Sequence, residues 1–118
     1  MAQAAGYKGL ERIAALVLAD ISHGAVGTGT TAPATSDTQL VTETDRIATT
    51  KAIRNGNSFQ ARFFFTNANL PATVQEVEAV LNGSGSANSG SLLVRGTVTF
   101  AKGTGDLMLI VEGKITAS

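Results

Sequence analysis

Asn55-Gly56 stands between two runs of strand-forming residues, and this arrangement limits the fold more than any other feature of the chain. Both residues tolerate positive φ, as a two-residue hairpin turn requires. The run before it, Arg46 to Arg54, is rich in Thr and Ile. The run after it, Asn57 to Thr66, places Phe59, Ala61, Phe63 and Phe65 on one face. A period of two with one apolar face predicts an antiparallel pair that buries that face.

The same alternation continues downstream. Asn67 to Pro71 reads as a turn. In Val74 to Leu81, Val77, Ala79 and Leu81 form an apolar face, and Glu76 and Glu78 fall on the side expected to be solvated. Gly83 to Ser91 is a Gly/Ser/Asn run, expected to be a long exposed loop. From Leu92 to Phe100 the pattern predicts Leu92, Val94 and Val98 inward, with Leu93, Arg95 and Thr97 more exposed. Lys102 to Gly105 reads as a hairpin loop. In the last run Leu107, Leu109, Val111 and Ile115 share a face. Met108 and Ile110 make its start apolar on both sides, which predicts a central or covered strand.

Only residues 6–22 carry a helical period. Leu10, Ile13, Ala14, Val17, Leu18 and Ile21 form the stripe, and the opposite side includes the small residues Ala15 and Ala19. Gly24 is a natural stop, and His23 there would meet the negative end of the helix dipole. Residues 23–42 show no period and predict an extended arm. Ser36 or Asp37 is placed to cap a short helical turn over 38–42. The expected fold is mainly β: one domain over residues 1–118, with an N-terminal α-helix (6–22), the arm (23–42), and an antiparallel β-sandwich of five to six strands (43–118).

Composition narrows the function. The 118 residues are 43% hydrophobic and 15% charged, enough apolar content to fold and too little charge for disorder. Nine basic residues balance nine acidic ones, which argues against a nucleic-acid partner and leaves little long-range repulsion between copies. There is no cysteine, so disulfides, thiolate zinc sites and cysteine nucleophiles are excluded. With His23 as the single histidine, a centre built on several imidazoles is excluded too. The apolar stretch Ile13 to Ala19 is too short to span a bilayer, and its charged flanks do not fit a secretory signal. Without such a signal, the sequon Asn82-Gly83-Ser84 carries little weight.

Gly27 to Ala32 satisfies the letters of a dinucleotide fingerprint. A helix precedes it and Pro33 follows, the reverse of the strand-then-helix context that places backbone amides on a pyrophosphate. The carboxylate pairs Glu43/Asp45 and Glu76/Glu78 read as solvated strand faces, with Glu43 and Arg46 a candidate ion pair. Phe64 stands apart from the other phenylalanines, on the face of Gln60 and Arg62, and needs cover. No catalytic, cofactor or metal site is expected.

The order of features resembles small virion structural proteins of tailed bacteriophages, including tail, fibre and baseplate-associated modules. The resemblance rests on the segment Val26 to Pro33 and on Asp37-Thr38-Gln39-Leu40 followed by Glu43. It continues in Val74-Gln75-Glu76-Val77, Leu92-Leu93-Val94-Arg95 and the closing Lys102 to Asp106. It spans roughly residues 10–116; Glu78-Ala79 stands where such proteins often have Gly-Leu. It implies a non-enzymatic component of a tail, fibre, baseplate or capsid, residing in the virion and assembled in the host cytoplasm. Its partners would be other copies of itself and other virion proteins, with no membrane or nucleic-acid partner. The residues expected at the interface of a homo-oligomer are Ala15, Ala19, Thr28, Thr30, Thr31, Pro33 and Phe64. The competing expectation is a ligand- or carbohydrate-binding β-sandwich module. It has little support, because there is no Trp and Tyr7 is the single tyrosine.

Overall fold

The computed structural model describes residues 7–116; residue 6, where the predicted helix begins, lies outside them. The elements are α1 (Tyr7–Asp20), β1 (Ile21–Gly27), β2 (Glu43–Ala48), β3 (Lys51–Asn55), β4 (Ser58–Phe65), β5 (Thr73–Leu81), β6 (Ser91–Ala101) and β7 (Leu107–Lys114). They form two antiparallel sheets, ordered β2-β1-β5-β6 and β3-β4-β7, packed as a sandwich. The expected class is therefore observed, with seven strands among the described residues.

Two departures from the expected strands have physical causes. The predicted helix ends at Asp20, and the chain passes without a loop into β1. β1 lies between β2 and β5 and is covered on both faces, so it shows no alternation in burial. Its small residues fit a close approach: the ring of Phe63 from the facing sheet sits directly on Gly24. The single run predicted over Arg46 to Arg54 is two strands in different sheets. Thr49 donates its N–H to the Ser22 carbonyl and its hydroxyl to the Ile21 carbonyl, both at the start of β1. Thr50 donates its N–H to the Arg62 carbonyl, and its hydroxyl oxygen accepts the Phe64 N–H, both on β4. Two adjacent threonines thus carry the chain from one sheet to the other.

The hairpin is present with its turn one residue later than expected. Asn55 pairs with Ser58, leaving Gly56 and Asn57 as the loop, and Gly56 holds φ 62°. Glycine at the first loop position is the requirement of a type II′ turn.

The core is the inner face of β4 (Phe59, Ala61, Phe63, Phe65) against Val26, Ala79 and Val74, closed by Ala14 and Ile21. Val17 and Leu18 of α1 pack against it, whereas Ile13, expected in the buried stripe, is exposed. Lys102–Thr104 is a 3₁₀ turn that joins strands of different sheets, not the two arms of a hairpin. β7 is correspondingly an edge strand, not a central one, and Met108 and Ile110 are 43% and 47% exposed.

Candidate functional site

The polar side of the four-stranded sheet is covered by the chain's own strap, residues 28–42. Cross-strand register explains how. Gly27 pairs with Glu76; Ala25 pairs with both Arg46 and Glu78; and Glu78 pairs with Arg95. The charged side chains therefore line up across all four strands, around the small side chain of Ala25.

Glu76 is fully buried. Its carboxylate accepts the backbone N–H groups of Gly29 (2.7 Å), Val41 (2.8 Å) and Thr42 (2.8 Å), one from the start of the strap and two from its end. Arg95 adds Nε and Nη2 at 3.3 and 3.2 Å. The same guanidinium donates to Asp37 Oδ2 (3.1 Å) and to the Thr31 carbonyl (2.7 Å), which fixes the middle of the strap. Thr28 N–H to Thr42 C=O closes its base. A Cβ at Gly29 would stand 2.6 Å from Glu76 Oε2, so this close approach needs glycine. Burial pushes the Glu76 carboxyl up, but the N–H groups of Thr42, Val41 and Gly29, with Arg95, outweigh it and hold it below its usual range. The Ala34 N–H, ahead of Arg95 and against some burial, does the same for Asp37.

A second cluster adjoins the first. Arg46 forms a bidentate pair with Glu43 at 3.0 and 2.9 Å. Its remaining Nη1 donates to the Ser84 and Ser89 carbonyls and to the Ser89 hydroxyl, anchoring the loop after β5. Glu78 is buried with no hydrogen-bond partner on either oxygen, and Arg46 Nη2 stands 3.6 Å away. Burial, reinforced by the Glu43 carboxylate, pushes the Glu78 carboxyl up to about 7. His23 is on β1, not at the helix end, and its Nδ1 is buried without a partner. Burial, and then Arg46, lower its pKa against the opposing pull of Glu43.

Several expectations are corrected here. Glu76 and Glu78 are not solvated, and Arg95 is 8% exposed, whereas Val94 and Val98 are 46% and 41% exposed. The strap buries the polar face of β5, and on β6 burial does not alternate, because its pairing with β5 is irregular at two places. The capped turn over 38–42 is absent. In its place residues 34–37 form a turn, with Asp37 N–H on the Ala34 carbonyl and Ala34 N–H on the Asp37 carboxylate.

The expected interface residues do not form one patch. Thr28, Thr30, Thr31 and Pro33 are exposed on the strap. Phe64 is 36% exposed beside Met108, on the outer face of the other sheet. On α1, Ala19 is exposed and Ala15 half-buried.

The residues that sequence reasoning missed are Glu76, Arg95 and Asp37 as anchors. Their signal is two glycines at spacing two, Gly27 and Gly29, matched by two glutamates at spacing two on a strand. Four of the five segments quoted for the resemblance meet in this network, through Gly29 and Thr31, then Asp37, then Glu76, then Arg95; Lys102 to Asp106 lies apart and bonds Asn67. With five donors on its two oxygens, Glu76 has no acceptor capacity left for a substrate. The arrangement shapes a surface. Comparison with protein-family models and with curated protein sequences finds no match.

Proposed function

We propose that this chain is a non-enzymatic structural protein of a tailed-bacteriophage virion, a module that assembles with copies of itself and with other particle proteins. The observation that carries the reading is the buried network. Four of the five segments that resemble phage structural proteins are distant in sequence yet meet in one ionic anchor that holds the strap to the sheet. The carboxylates and guanidiniums of the network are spent on architecture. A rigid strap presenting Thr28, Thr30, Thr31 and Pro33 suits repeated contacts between particle components, because little conformational entropy is lost when a pre-ordered surface docks. Exposed apolar side chains elsewhere, Phe64, Met108, Ile110 and Val98 among them, favour association over a solitary existence. Sedimentation and electron microscopy of the purified chain test the reading. Regular assemblies of defined size are expected. A strictly monomeric chain that binds no virion component overturns it.

A further inference from the structure

Among the described residues four strands have an open side: β2 and β6 in one sheet, β3 and β7 in the other. Three are guarded in ways that discourage strand addition. β3 is five residues long and carries Lys51 and Arg54. β2 is six residues long, charged, and irregular where it meets Gly27. β6 is long, but its pairing with β5 shifts register twice, each time with the extra residue on β6. β7 is eight residues long, its charges Glu112 and Lys114 stand towards its end, and its pairing shows no irregularity. It pairs with β4 without interruption from Leu107 to Lys114, and its exposed side chains begin with Met108 and Ile110.

Hydrogen bonds on this sheet fix which backbone groups are free. Ile115 donates its N–H toward β4, to the Asn57 carbonyl, and Phe64, opposite Met108, donates its N–H away from β7, to Thr50. Alternate residues point alternately in an antiparallel ladder. Leu107, Leu109, Val111 and Gly113 therefore bond to β4, and Met108, Ile110, Glu112 and Lys114 direct their N–H and C=O groups to the open side.

We propose that β7 joins the β7 of a second copy, antiparallel, with the two-fold axis at Ile110. Deepening the assembly role proposed above, this assigns its contact. The charge pattern selects the partner and the register. With Ile110 opposite its own copy, Asp106, which stands one residue before β7 and holds the Asn67 N–H on Oδ1 with Oδ2 left over, comes opposite the partner's Lys114 twice, once on each side of the axis, and Met108 faces the partner's Glu112. Moving the axis one residue toward Leu107 sets Asp106 opposite the partner's Glu112. Moving it to Glu112 sets that carboxylate opposite itself. Like charges directly opposed are destabilising, and unlike ones favourable. With the axis at Val111, Met108 faces the partner's Lys114 and both ion pairs are lost. The Ile110 register also sets Ile110 against its own copy and places Met108 diagonal to the partner's Ile110, so the apolar stripe of Phe64, Met108 and Ile110 continues into the second copy. The product is a continuous six-stranded sheet.

Sedimentation equilibrium of the purified full chain and three variants tests this, with far-UV circular dichroism as the check on folding. Ile110→Pro removes an N–H that points outward, so the single chain loses no ladder bond while strand addition is blocked. It is expected to weaken association by at least about tenfold. Lys114→Glu and Asp106→Lys each create two like-charge oppositions and are each expected to dissociate. Mixed in equal amounts they re-associate, because the heterodimer contains two opposite-charge pairs. A parent that oligomerises while Ile110→Pro associates just as tightly overturns the β7 contact and leaves the assembly role standing; a monomeric parent overturns the β7 contact, and the assembly role with it where the chain also binds no virion component. Failure of the mixture to re-associate overturns the register.

Discussion

Glu76 and Glu78 are two residues apart on one strand, on the same face, and their environments drive them in opposite directions. Glu76 is held ionised by three amides and a guanidinium. Glu76→Ala would leave Arg95 buried without its main partner and three N–H groups unpaired. The expected loss is about 3–5 kcal/mol in urea denaturation at neutral pH. Glu78 is buried beside the Glu43 carboxylate, so folding raises its carboxyl from 4.5 to about 7. A group raised on folding favours its protonated form in the native state. Its stabilising contribution is complete below about pH 4.5 and is lost as the pH rises through about 7. Glu78→Gln is therefore expected to flatten the decline in stability between those values. Above pH 7 it should exceed the parent by on the order of 2 kcal/mol in denaturation midpoints converted to free energy. Glu76 acts with the reverse sign, because its pKa is lowered on folding. Its contribution is present above 4.5 and lost as the pH falls through the depressed value.

At the scale of elements, the strap is the part least like its sequence. Residues 28–42 are rich in Gly, Thr and Ala and lack any period, yet both ends and the middle are fixed to one sheet. Hydrogen exchange on the full chain should show protected amides at Gly29, Val41 and Thr42 and rapid exchange at Ala32, Thr35 and Ser36. Arg95→Met should release the middle, since Asp37 and the Thr31 carbonyl lose their donor. A local pattern cannot announce such a segment, because its partners, Glu76 and Arg95, lie 34 to 64 residues away. What could be read early was what depends on neighbours: the β4 face with its phenylalanines, the Gly56 turn to within one residue, the extents of β5 and β6. What could not was β1, whose Gly24, Ala25 and Gly27 look like helix stop and loop. They make sense only once the facing Phe63 and the covering strap are present. Gly24→Ala tests this, because its Cβ would stand 2.5 Å from Phe63 Cγ. Overpacking of about 1–3 kcal/mol is expected in the same urea assay.

Across the whole molecule, two kinds of ionic contact should separate with salt. The Glu76–Arg95 and Glu43–Arg46 pairs are dry, with side chains at most 3% exposed. Raising salt from about 0.1 to about 1 M should leave strap protection nearly unchanged, because buried charges are screened little. The proposed copy-to-copy pairs of Asp106 with Lys114 join exposed side chains and should weaken, read as a fall in weight-average mass. The central place of β1 has a further consequence in time. During synthesis β1 emerges long before β5, its partner on one side, which is about fifty residues later in the chain. The four-stranded sheet cannot close until β5 has left the ribosome, whereas the β3–β4 hairpin needs only adjacent residues. β7 follows β4 by a comparable delay. The nascent chain therefore carries an organised hairpin and a waiting central strand, and gains the edge assigned to its neighbours only after both sheets have formed.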